Sequence, residues 1–92
     1  MKISEKKRGK ICEHILLYLF SESPKTIFTS HIAQEVARDE EFVKKLLKEL
    51  MDKKLVVEVK KNKEGINYLI RSRWKLSNAA YDFYKKSQSS GF

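Results

Sequence analysis

Three kinds of side chain in this 92-residue sequence could do chemistry, and spacing sets two of them aside. Cys12, His14 and His31 do not form a recognisable metal-ligating set. A single cysteine also excludes an intrachain disulfide framework and a cysteine-based zinc finger. The sequence has no glycine-rich phosphate loop, no paired-carboxylate motif and no nucleophile beside a base. An enzyme, a bound metal or a cofactor is therefore not expected, and no small-molecule ligand can be identified. The cations remain. Lys and Arg number 20 against 12 Asp and Glu, a formal net charge of +8. Such a surplus points to an anionic partner, with nucleic acid the first candidate and a membrane surface the second.

The cations are grouped. Lys44, Lys45 and Lys48 fall opposite the apolar positions Val43, Leu46, Leu47 and Leu50, which recur at i, i+3, i+4 and i+7 as on one face of a helix. Between Leu55 and Leu76, the basic residues Lys60, Lys61, Lys63, Arg71, Arg73 and Lys75 stand against only Glu58 and Glu64. A further cluster, Lys6, Lys7, Arg8 and Lys10, reads either as a phosphate-contacting arm or as a disordered start. The acids are placed differently. Asp39 is a good N-cap, and Glu40 suits the first helical turn beside it. Glu41 is either a partner of the helix dipole or a carboxylate that accepts from cytosine.

The elements that must position these residues follow from periodicity. Ile11, Cys12, Ile15, Leu16, Leu19 and Phe20 predict a first helix over about 5–20 with a wide apolar face, ended by Pro24. Thr26-Ile27-Phe28 predicts one brief strand. Thr29 or Ser30 caps a short second helix that reaches about Ala37, and Asp39 opens the third. From Leu55 the period becomes two, with Leu55, Val57 and Val59 on one parity. A turn at 62–65 follows, and the return strand sets Ile66, Tyr68, Ile70, Trp74 and Leu76 against Arg71, Arg73 and Lys75. Ser77 caps a last helix from Asn78 to about Lys86. This is a single domain over 1–86 with a flexible tail at 87–92. The longest apolar run, Ile15 to Phe20, is far short of the roughly 20 residues a membrane span needs. With no signal-peptide pattern at the N-terminus, a cytoplasmic protein is expected.

The order is helix, strand, helix, helix, strand, strand, helix: mainly α with a small β-hairpin. Phe28-Thr29-Ser30-His31-Ile32-Ala33-Gln34-Glu35-Val36 resembles the second helix of winged helix-turn-helix proteins. Val43 to Leu50, running into Leu55-Val56, resembles their recognition helix and first wing strand. Trp74-Lys75-Leu76-Ser77-Asn78-Ala79-Ala80 resembles the wing exit of MarR-like and small archaeal or archaeal-virus regulators. The resemblance covers about residues 11–86. Lys54 departs from it where a glycine often ends the recognition helix, and Ala80 where glycine is frequent.

The resemblance implies a transcriptional regulator that binds double-stranded DNA sequence-specifically. A helix over about 39–53 would enter the major groove with Glu41, Lys44, Lys45 and Lys48. Ser30, His31 and Gln34 of the second helix would hold the backbone. A wing over about 55–76 would place Lys60, Lys61, Lys63, Arg71 and Arg73 on phosphate or in the minor groove. The oily terminal helices imply a homodimer built on Ile11, Cys12, Ile15, Tyr81 and Tyr84. Two other readings compete: an architectural protein coating DNA without sequence preference, and a winged helix used as a protein-interaction module.

Overall fold

Helix α1 (Glu5–Glu22) opens the chain and is followed by strand β1 (Ile27–Phe28), helices α2 (Thr29–Val36) and α3 (Glu40–Asp52), strands β2 (Val56–Val59) and β3 (Arg73–Leu76), and helix α4 (Asn78–Ser90). This computed structural model describes residues 5–59 and 72–90, with side chains as far as 87. Lys60, Lys61, Lys63 and Arg71 lie outside the described residues, as do the expected turn at 62–65 and Ile66, Tyr68 and Ile70 of the return strand.

Alternation within α3 is clean. Val43, Leu46, Leu47 and Leu50 are buried, while Glu41, Lys44, Lys45, Lys48 and Glu49 are exposed. Asp39 caps the helix as expected, its carboxylate accepting from the Phe42 amide at 3.2 Å. At the other end Lys54 adopts φ 63°, and the amides of Lys54 and Leu55 donate to the carbonyls of Met51 and Leu50, closing the helix with a left-handed turn. That turn explains why glycine is the usual residue there. Ala37 does the same for α2, at φ 55° and ψ 48°.

The strands form one antiparallel sheet in the order β1-β3-β2. Ile27 pairs with Trp74 and Phe28 with Arg73, while Val56 to Val59 pair with Leu76 to Arg73. Trp74 and Leu76 face inward and Arg73 and Lys75 outward, as their parity predicts. In β2 the expected parity is reversed. Val56 is the buried residue and Val57 is exposed, because Val56 lies opposite inward-facing Leu76 and Val57 opposite outward-facing Lys75.

The core joins Ile11, Ile15, Leu16 and Leu19 of α1 to Ile32, Ala33 and Val36 of α2, the α3 stripe, and Trp74 and Leu76. Phe20 packs tilted against Tyr81 and Tyr84 of α4, with ring centroids 5.4 and 5.8 Å away. An ion pair ties Arg8 of α1 to Glu49 of α3, and the His14 Nε2 of α1 lies 3.6 Å from the Glu35 carboxylate of α2. Ser77 caps α4 by accepting from the Ala80 amide at 3.1 Å. The helix continues to Ser90, past the end expected at Lys86 and into the stretch whose composition suggested a tail.

The cap of α2 differs from expectation. Its cap position falls on Phe28, which has no hydroxyl to offer, so neither Thr29 nor Ser30 serves as the cap. Thr29 is instead buried, and its hydroxyl accepts from the Trp74 indole N–H at 2.8 Å. A residue type chosen for a local cap is taken by a long-range bond to a tryptophan that packing has enclosed completely.

Candidate nucleic-acid interface

The helix-turn-helix pair and the root of the β-hairpin share one surface. A cleft of about 460 Å³ lies where the start of α2, the first turns of α3 and the residue entering β3 converge; it is lined by Phe28, Thr29, Ser30, Glu40, Glu41, Lys44 and Ser72. Beside it a second hollow runs between α2 and α3, past Ser30, His31, Gln34, Arg38 and Asp39. Five of the residues expected at the interface, Ser30, His31, Gln34, Glu41 and Lys44, thus line two adjoining depressions. Lys45 and Lys48 extend the exposed face along α3.

Arg73 is the one expected wing residue among those described. It stands on the outer face of β3, its guanidinium carbon 4.8 Å from the centroid of the Phe28 ring. The same ring meets His31 at 5.7 Å with an interplanar angle of 86°. At the hairpin root the Ser72 hydroxyl donates to the Glu58 carboxylate, linking the β2 strand to the entrance of β3. Phe28 and Ser72 are cleft residues that the sequence did not single out. The signal for Phe28 is its cross-strand register with Arg73, which only the folded sheet supplies.

The expected dimer residues divide. Ile15 is fully enclosed and Ile11 is 8% exposed within the single chain, so both belong to its own core and have little left to offer a second copy. A wide apolar stripe on α1 does not say which part of it α2 and α3 will cover, and here they take these two. Cys12, Tyr81 and Tyr84 are half-buried at the margin of that core. Next to Tyr84, Phe83 is 66% exposed. Burial pushes the Cys12 thiol up from its ordinary pKa, with Arg8 and Lys53 pulling weakly against it. Burial likewise raises the Tyr84 phenol, assisted by Glu13. Among the described residues no group of His, Cys, Asp and Glu is placed to hold a metal ion, and no helix is long and apolar enough to cross a membrane.

A short strand precedes the helix-turn-helix pair, and a hairpin leads from it through an inward tryptophan to the final helix. Solved structures share this arrangement. MepR, a transcription regulator of the Staphylococcus aureus multidrug efflux pump MepA, superposes with a TM-score of 0.69 at 22% identity, covering 86% of this chain and 54% of that one. The fold is a winged helix-turn-helix. A MepR–DNA complex from S. aureus superposes at a TM-score of 0.71 and 19% identity, over 91% of this chain and 73% of that one. A MarR family transcriptional regulator from Silicibacter pomeroyi gives 0.67 at 11% identity, over 91% and 52%. This winged helix thus spans little more than half of several of the regulators it matches. No family model matches the sequence, and no curated protein does.

Proposed function

We propose that the chain is a transcription regulator that binds double-stranded DNA sequence-specifically inside the cell, as a homodimer. The observation that carries this reading is the shared cleft, where Ser30 of α2, Glu41 and Lys44 of α3 and Ser72 at the wing root open onto one surface beside the exposed Lys45 and Lys48. The major groove admits an α-helix, and lysine can donate to guanine there as well as to phosphate. MepR, of similar fold, is seen on DNA, which supports the same use of the fold here. Lys60, Lys61, Lys63, Arg71 and Arg73 would grip phosphate or the minor groove from the wing.

Glu40 and Glu41 favour base reading over indifferent coating of DNA. A carboxylate facing a phosphate backbone is repelled by it, whereas one facing the groove floor can accept from the cytosine amino group. With Asp39 already serving as the cap, Glu41 is the residue we assign to that contact. Dimerisation would use the terminal helices, with Cys12, Tyr81 and Tyr84 at the margin of the contact and the exposed Phe83 within it. Half-sites would then lie about one helical turn apart, roughly 34 Å, on pseudo-palindromic DNA.

Selection from a random duplex library should enrich one palindromic motif, and binding to it should weaken steeply with salt. Lys48→Ala should lower the slope of log K against log salt by about one. Enrichment of no motif would favour the coating protein, and failure to retard any duplex at low salt would favour the protein-interaction module.

A further inference from the structure

The ring of Phe28 occupies a junction. Phe28 is the last residue of β1 and the cap position of α2, and it is the cross-strand neighbour of Arg73 on β3. One aromatic side chain therefore touches a group from the wing strand and a group from the second helix, Arg73 and His31, at the edge of the cleft. Across β3 from Phe28, Val59 of β2 pairs with Arg73, so the arginine stem rises from a row whose two flanking residues are apolar. Any β-branched residue would satisfy a two-residue strand. A flat ring adds a face on which a guanidinium can rest.

We propose that Phe28 is a positioning residue for DNA binding, holding the Arg73 guanidinium beside the helix-turn-helix before DNA arrives. The proposal rests on the DNA-binding reading above. An arginine free on a strand surface loses rotamer freedom when it engages phosphate or a base edge, and one already stacked loses less. The same contact ties the wing root to the start of α2, so wing and helix meet the duplex as one surface. Phe28 itself need not touch DNA.

The test is a double-mutant cycle on a mixed-sequence duplex of about 30 base pairs, long enough for two half-sites one turn apart. Phe28→Leu keeps the charge and most of the apolar volume but removes the ring, and should weaken binding about two- to fivefold. Phe28→Tyr retains the face and should stay close to wild type. In the Arg73→Ala background, Phe28→Leu should have no further effect. Without DNA, ring-current shifts should move the Arg73 δ-methylene protons upfield in the wild type and not in Phe28→Leu, while an unchanged circular dichroism spectrum and a cooperative melt verify that the variant is folded. If the wild type binds no duplex at low salt, the DNA-binding reading falls and this inference with it. If the wild type binds but Phe28→Leu costs as much in the Arg73→Ala background, or Phe28→Tyr is as weak as Phe28→Leu, the positioning role alone is overturned.

Discussion

Replacing Thr29 with valine changes one atom group, a hydroxyl for a methyl of nearly equal size, and leaves the Trp74 indole N–H without its acceptor. Trp74 has no exposed surface and Thr29 is 8% exposed, so the orphaned donor would sit in the core. Among the described residues no buried side-chain nitrogen or oxygen lacks a partner, which makes this a new defect. Leaving a buried donor unsatisfied costs about 1–3 kcal/mol. For a domain of this size each kcal/mol is about 4–8 °C in melting temperature, so Thr29→Val should melt about 4 °C lower at least and about 24 °C lower at most. Both residues are β-branched, so helix propensity contributes little to the change. Circular dichroism melts at one fixed protein concentration measure it. The same substitution in a Trp74→Phe background should be nearly neutral, since donor and acceptor are then both gone. A Thr29→Val protein melting within about 1 °C of wild type, or losing as much in the Trp74→Phe background, would refute the assignment.

Lys54→Gly should stabilise the domain by about 0.5–1 kcal/mol in urea denaturation, the relief of a left-handed residue outweighing the extra freedom of the unfolded chain. Burial raises the pKa of Cys12 and Tyr84 in the folded state, so on alkaline titration the unfolded chain releases these protons first. Their contribution to stability is complete at neutral pH and is lost as pH rises through the thiol and then the phenol range. A melting-temperature series should show this fall, and Cys12→Ala should flatten its first part. Phe83→Glu places a charge on the most exposed aromatic of α4 and should shift sedimentation towards monomer without lowering the secondary-structure content.

Where one segment carries its own instructions, the sequence is easily read. The spacing of Val43, Leu46, Leu47 and Leu50 behind Asp39 defines α3, and Ser77 marks the start of α4. Readings fail where a distant residue decides. Thr29 has the chemistry of a cap, but a tryptophan 45 positions away claims its hydroxyl. Leu55 to Val59 carries apolar residues on both parities and its one charge, Glu58, on that of Val56, so pairing with β3, not composition, decides that Val56 turns inward. The stripe on α1 announces burial without saying against what, which is how Ile11 and Ile15 come to suggest an interface that the core of the same chain claims. The lysine face of α3 was legible because exposure follows from helical period alone. Phe28 was not, since its importance lies in what the sheet sets across from it.

Left-handed residues close the helix before α3 and α3 itself, at Ala37 and Lys54, and Val43, Leu46, Leu47 and Leu50 fasten its inner side. Glu41, Lys44, Lys45 and Lys48 belong to none of these fastenings. The helix is therefore divided into two vocabularies that share a backbone and no side chain. The outward set can be rewritten by substitution at little cost to folding. If α3 reads DNA as proposed, a lineage carrying this domain could change its target through a few codons of α3, and an engineer could graft a new outward set at the same four positions.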